Sequence, residues 1–315
     1  INTVKQFCLF VFQQSVQIPA LNLSYRWIKM SDLNHASEYS NYVEEYYDKS
    51  TEREVVTEWV LANASKLIVS DFSSGKYAIL DIGTPDGETN LKILSLIWRN
   101  LEPGTETSFR VVNAQTAVLE KYKNAVSSSK KREYKKIAFD WRGTTLVDYL
   151  GGASGEFGGC KMNLVLFMQS IYYEDPEKAL VEVYEKELEH NGVIVCIIQD
   201  ENNFAIRLQN ELQGKEFPKS KRNISGKDIV AIAEKQEWRW EVDTLEYILD
   251  VSECLKEGSS KGDMLIDIMF NVKDIRKQAP VDVVEHITKS LEKEVVASGG
   301  SRILKEKVAI VMIYK

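Results

Sequence analysis

Little in this chain suits metal or thiol chemistry. The four cysteines (Cys8, Cys160, Cys196 and Cys254) fall in no CxxC or other paired spacing, which argues against a thiolate zinc site and against structural disulfides. His35, His190 and His286 stand far apart. None has a neighbour for a metal set or a catalytic pair, and His190 reads as the end of a surface helix. No metal is expected. GxGxxG is absent, and so is GxxxxGK[ST], which removes the dinucleotide fingerprint and the P-loop, and with them the kinase and GTPase readings.

Long apolar runs and positive charge are also missing. "FCLFVF" near the start is far shorter than the roughly 20 residues that cross a bilayer, and its flanks have neither the basic start nor the small-residue cleavage site of a secretory signal. Net charge is -7. Two small basic groups, Lys130–Lys131–Arg132 and Lys219 with Lys221 and Arg222, read as solvated loops. Neither nucleic acid nor membrane is expected as a partner. Cys196 sits in "VIVCII" as a reduced core thiol would, so the expected location is cytoplasmic.

What is present is a chain of 315 residues, 44% of them hydrophobic, enough for a large α/β core. Residues 1–34 are set aside as an N-terminal extension, disordered or artefactual, because Met30 followed by "SDLNHAS" reads as a native start. Three- and four-residue spacing of Tyr42, Tyr46, Val55, Val56, Trp59 and Val60 predicts helix over 40–68. Strands are predicted at 76–82, 109–113, 136–141, 163–169 and 192–199, with helices at 88–99, 115–127 and 176–190 between them. Helical patterns at 203–212 and 227–235 precede a strand-like 238–249. Helices at 263–270 and 281–291 lead to a last strand at 307–314. Such alternation implies right-handed crossovers and a mostly parallel sheet covered on both faces.

The first strand runs into a glycine turn, "ILDIGTPDGETN" over 79–90. Ligands of open parallel sheets sit beyond the strands' carboxyl ends, so this corner is the place to look. Asp81-Ile82-Gly83 resembles motif I of Rossmann-like methyltransferases that use S-adenosyl-L-methionine, with Gly83 and Gly87 letting backbone approach a ligand. An ordinary strand–turn–helix corner has the same letters. The next strand ends at Asn113, where a ribose-binding acid would be expected; a neutral amide lacks the charge assistance of a carboxylate.

Three separated segments carry a wider likeness: "EYSNYVEEYYDKSTEREVVTEWV" with its Ser50-Thr51-Glu52 triplet, "FMQSIYY" at the end of the fourth strand, and "GDMLIDIMFNV" followed by "APVDV" and the terminal strand. Together they resemble the histamine N-methyltransferase family, which includes related carnosine N-methyltransferases. The resemblance implies a Rossmann-like class I methyltransferase, with a mostly parallel seven-stranded sheet, a reversed hairpin at one edge and helices on both faces. It implies one domain over 35–315 with small substrate-cap elements at about 35–70 and 200–300. The implied activity is direct methyl transfer from S-adenosyl-L-methionine to a nitrogen of a small amine or imidazole compound, by an enzyme expected to be a monomer.

By that likeness Glu52 faces the amine and shares catalysis with Gln169, while Tyr39, Tyr172, Tyr173 and Phe217 line or close the substrate pocket. Asp81, Gly83, Gly87, Asn113, Thr144, Thr145 and Met168 would lie on the cofactor, and Glu306 would replace a substrate-contacting asparagine. Plainer roles stand beside these. Glu52 can belong to a capping box with Ser50, and Tyr172 and Tyr173 can be core-edge aromatics. Gln169 is harder to dismiss, since a buried amide without partners costs about 1–3 kcal/mol. The chain departs from the family in "GTPDG", in Asn113, in Ile206 and Asn210 where pocket tryptophans are expected, and in Glu306. A more acidic pocket suits a different or doubly basic amine. The weakened loop opens a second reading, a catalytically weak or inactive binder of small amines.

Overall fold

The computed structural model describes residues 36–68, 75–85, 87–152, 160–173, 175–213, 215, 217 and 223–315. The chain enters through α1 (Ala36–Lys49), α2 (Glu52–Ala62) and α3 (Ala64–Leu67). Strand and helix then alternate: β1 (Lys76–Ile82), α4 (Glu88–Asn100), β2 (Glu106–Val112), α5 (Thr116–Ser128), β3 (Ile137–Arg142), α6 (Leu146–Gly151), β4 (Met162–Met168), α7 (Pro176–Lys186) and β5 (Leu188–Gln199). The remainder runs α8 (Phe204–Glu211), α9 (Gly226–Lys235), β6 (Arg239–Asp250), α10 (Ser260–Phe270), α11 (Ile275–Gln278), α12 (Val281–Glu294), β7 (Val296–Ser298) and β8 (Ser301–Tyr314).

The strand order is β3-β2-β1-β4-β5-β8-β6. The first five strands are parallel, and β8 is antiparallel to both β5 and β6. This is the mostly parallel α/β sheet expected, with its reversed hairpin at the edge. An eighth, three-residue strand was not foreseen. Gly299 and Gly300, at φ +57° and +89°, turn β7 back onto the start of β8, a turn that needs two left-handed residues.

Alternate residues of the central strands feed two cores. Ile79, Phe109, Leu166 and Ile310 pack on one face, and Leu80, Val165, Cys196 and Val311 on the other. Both faces are covered, which is why the strands read as continuous apolar runs. A third cluster (Phe204, Leu249, Leu265, Phe270 and Leu304 among its members) joins α8 and α10 to the far ends of β6 and β8.

Three boundaries moved. The predicted helix over 40–68 breaks at Ser50 and Thr51, because Ser50 bridges Leu249 of β6. Helix α7 stops at Lys186, and His190 lies exposed within β5, not at a helix end. Asn191 has φ +66°, and its helix-stop appearance belongs instead to a register shift between β4 and β5. Strand β8 starts at Ser301, well before 307. Its early part pairs with β6 beyond the last partner that β5 offers, Val308 opposite Gln199. The β6–β8 ribbon therefore overhangs the carboxyl end of β5.

The sheet reverses direction of winding between β1 and β4, where ligands of such sheets bind. Among the described residues no helix is long and apolar enough to cross a membrane. Cys160, Cys196 and Cys254 are free thiols, and Cys8 and His35 lie outside the described residues.

Candidate active site

The Ser-Thr-Glu triplet is built as a clamp. Thr51 donates its backbone N–H to the Ile248 carbonyl at 2.9 Å, and its hydroxyl accepts the Ile248 N–H at 2.9 Å. Ser50 Oγ accepts the Glu52 N–H at 3.1 Å. With the chain pinned to β6 in this way, α2 starts at Glu52 and its side chain turns inward, 1% exposed. The capping-box role fails: Thr51 is the N-cap and its side chain makes no cap bond. Glu52 Oε2 instead accepts the Tyr46 hydroxyl at 2.8 Å, and Oε1 accepts Gln169 Nε2 at 2.8 Å.

Gln169 follows the last residue of β4. Its N–H still reaches the Ile197 carbonyl at 2.8 Å, but φ is +50°, a left-handed backbone that costs a non-glycine residue about 1 kcal/mol or more. The bend turns the amide off the strand path toward Glu52. Its Oε1 is buried and has no hydrogen-bond partner among the described residues. A strained residue presenting an unsatisfied acceptor is the pattern of a binding group awaiting a donor.

Glu52 and Gln169 share one cleft with Tyr46, Tyr172, Tyr247 and Glu306, and Pro85 of the glycine turn lines it as well. Since Tyr46 gives its proton to Glu52, the 2.8 Å contact between the Tyr46 and Tyr247 hydroxyls makes Tyr247 the donor to Tyr46. Burial, with Glu52 nearby, holds both phenols well above their ordinary pKa, so they stay neutral donors. Glu306 faces inward between Leu304 and Val308 on β8, 2% exposed, and its Oε2 accepts the Phe204 N–H at 2.9 Å. Burial pushes its pKa up to about 8 against that bond.

The glycine turn is braced by its own chain. Asp81 takes Asn90 Nδ2 at 2.7 Å and the Tyr122 hydroxyl at 3.2 Å. Asn113 donates to the Thr84 carbonyl and accepts the Gln115 N–H, both at 2.8 Å. A Cβ on Gly83 would lie 2.9 Å from Ser170 Cβ, and one on Gly87 2.5 Å from the Tyr122 ring. Internal packing therefore already accounts for both glycines. What remains open here is Gln115 Oε1, buried beside Asn113 without a partner among the described residues. An orphaned acceptor at the carboxyl end of β2 fits a ribose hydroxyl, and sequence reading passed over it.

The other expected residues scatter. Met168 is buried in the main core. Thr145 spends its hydroxyl on Asp148 as the N-cap of α6, with Thr144 half-buried beside it. Phe217 packs edge-on against Phe270, 5.7 Å between centroids, and is not among the cleft residues. Ile206 is buried and Asn210 exposed, and neither lines the cleft. The side chains of Tyr39 and Tyr173 lie outside the described residues. Lining residues that sequence reading missed include Tyr46, Tyr47, Gln199, Asn203 and Tyr247. Tyr46 had shown itself only as one more position in a helical stripe. Among the described residues no cluster of His, Cys, Asp and Glu could hold a metal.

No family model matches the chain. The histamine N-methyltransferase of Bos taurus is 25% identical over 264 residues, 82% of this chain and 89% of the relative. That of Rattus norvegicus is 25% identical over 263 residues, 81% and 88%. The chain resembles the histamine N-methyltransferase family. The Xenopus tropicalis histamine N-methyltransferase extends the likeness, 25% identical over 80% of this chain and 86% of its own length. Among solved structures, a candidate methyltransferase from Bacillus halodurans covers 81% of this chain and 98% of its own, with a TM-score of 0.50 and 11% identity. That likeness concerns the fold alone: a Rossmann-like sheet.

Proposed function

We propose that the protein transfers a methyl group from S-adenosyl-L-methionine to a nitrogen of a small amine or imidazole compound by direct in-line displacement. The carrying observation is the Gln169–Glu52–Tyr46 assembly at the carboxyl end of β4, inside a cleft bounded by the glycine turn. The family resemblance supplies the acceptor class. When bound, S-adenosyl-L-methionine supplies an electrophilic methyl group.

Every other contribution belongs to the chain. The turn at Gly83–Pro85, Gln115 Oε1 and the region of Thr144 would hold the cofactor, with Asp81 and Asn113 bracing that turn from behind. Glu52 pairs with the acceptor's ammonium group and is itself held at both oxygens, so the pose is set before the acceptor arrives. Gln169 Oε1 accepts an N–H from the acceptor, and the tyrosine rings offer cation–π faces. Neutral imidazole has a lone pair near pH 7, its conjugate acid having a pKa of about 6.5. Help from a general base is therefore modest, and orientation does most of the work.

The reading is completed by a monomer built on a single domain from 35 to 315. Free thiols at Cys196 and Cys254 suit the cytoplasm. Screening small amines and imidazoles with labelled cofactor tests the reading; transfer to none of them would overturn it. One observation favours a second reading, a non-catalytic amine binder: the packing of Tyr122 and Ser170 against the two glycines. Calorimetric titration separates the two, since binding of S-adenosyl-L-methionine only at millimolar levels or not at all supports the binder.

A further inference from the structure

Two buried tyrosines that the family resemblance does not assign stand behind Glu52. On the footing of the amine reading above, we propose that Tyr46 and Tyr247 are positioning residues for the transfer, acting in series with Asn203. Their hydroxyls carry one direction of hydrogen bonding into Glu52. Glu52 in turn holds the Gln169 amide with its oxygen toward the acceptor, which selects a neutral ring or amine that donates an N–H.

The direction is set at the far end by the backbone. Asn203, 3% exposed, is the N-cap of α8, and its Oδ1 accepts the Ala205 N–H at 3.1 Å. A backbone amide can only donate, so Oδ1 is the acceptor and Nδ2 the donor of that side chain. Nδ2 lies 3.5 Å from the Tyr247 hydroxyl, a long contact that aims a proton at it. Tyr247 then donates to Tyr46 and Tyr46 to Glu52, each at 2.8 Å. A phenol has one proton to give, and each is given one step nearer to Glu52. Burial keeps both phenols protonated well past their ordinary range, so neither ionises near neutral pH and the direction holds.

At the near end Glu52 Oε1 accepts Gln169 Nε2 at 2.8 Å. With Oε2 tied to Tyr46, the carboxylate is fixed about its last bond, and the amide that leans on it is kept from turning over. Gln169 Oε1 is then the end of the chain, buried and without a partner among the described residues. An oxygen in that place rewards an N–H donor and penalises a ligand that sets another acceptor atom against it. An imidazole meets the demand with one nitrogen and keeps the lone pair of the other. A neutral amine meets it with one hydrogen and keeps its own lone pair. Either way a nucleophilic nitrogen is left to face the methyl donor.

The test compares 4-methylimidazole with 4-methyloxazole, rings of one shape in which oxygen replaces the N–H. NMR titration of the full chain at pH 9 keeps the imidazole neutral. It should bind about tenfold or more tightly than the oxazole. Tyr46→Phe should bring that ratio to about threefold or less, and Tyr247→Phe to a value between. The double variant should fall no lower than Tyr46→Phe alone, because the two hydroxyls act in series. A ratio near one in the unaltered protein, or no binding of the imidazole, overturns the inference. So does an unchanged ratio in a Tyr46→Phe protein that melts cooperatively, or a further fall in the double variant. An equal loss of affinity for both rings, the mark of a merely structural role, overturns it as well. If Tyr46→Phe does not fold, Tyr247→Phe, which removes the hydroxyl one step further from Glu52, decides by the same ratio. Labelled transfer to amines or imidazoles with an unchanged ratio in the variants would sink this inference and leave the transferase reading standing. A ratio that depends on the two hydroxyls, with no transfer to any amine or imidazole, would do the reverse.

Discussion

The two ends of the crevice are built on opposite terms. At the glycine turn Asp81, Thr84, Asn90, Asn113 and Tyr122 satisfy one another, and both glycines are packed from within. At the end proposed for the acceptor a strained Gln169 leaves an oxygen with no partner among the described residues, and Glu306 lies buried with no ion pair among them. The turn resembles a machine part that holds its shape with or without a ligand. Gln115 Oε1 is the open group beside the turn, whereas the far end combines an open amide oxygen with a buried acid. Rigidity on one side and unmet demand on the other are what a bisubstrate transfer requires, since a fixed donor site and a selective acceptor site together set the attack geometry.

That contrast can be broken in several places. The largest effect is expected at Glu52. Glu52→Gln should lower turnover by about 100-fold or more while cofactor affinity, read by titration, stays within about threefold; unchanged turnover would remove Glu52 from the acceptor site.

Glu306 comes next, through stability. Its folded pKa is about 8 against an ordinary 4.5, so between those values the native state binds more protons than the unfolded one and loses stability as pH rises. Glu306→Gln keeps an oxygen for the Phe204 N–H and removes the charge. Its stabilising effect in urea denaturation should be near zero below pH 4.5 and grow to about 4 kcal/mol by pH 8. A gain that does not change with pH would mean that the acid is not buried alone.

Gly87→Ala probes the braced end. The residue has φ +74° and faces the Tyr122 ring, so a loss of about 2–3 kcal/mol is expected in denaturant unfolding. A neutral outcome would show a loose turn and dissolve the contrast. The mildest test is Asn113→Asp, which keeps the acceptor for Gln115 N–H and loses the donor to Thr84. Stability should fall by about 1 kcal/mol. A tenfold rise in cofactor affinity at undiminished stability would show instead that position 113 points at ribose.

Much of the architecture was open to sequence reading because the sheet is buried on both faces and alternates with helices. "KYAILDI", "NLVLFMQ" and "VIVCII" can be little else in an α/β pattern. The errors fell where local letters have two meanings. Asn191 and Gly192 stop a helix in most sequences, yet here they take up a register shift inside a strand. Gly83 and Gly87 announce a ligand loop, yet side chains over 30 positions away explain them. Glu52 and Gln169 were found through family likeness, and Tyr46, Tyr247 and Gln115 were not found, since a tyrosine on a helical stripe or a strand face looks like core until its neighbours are known.

Periodicity and composition thus settle the order of elements, the parallel sheet and the absence of thiol–zinc spacing, because these depend on residues close together in the chain. The meeting of Glu52 with Gln169 across 117 positions, and of both with Glu306, depends on how far one ribbon of strands overhangs its neighbour. That overhang is a property of strand register, and register is established only when the long-range pairs close.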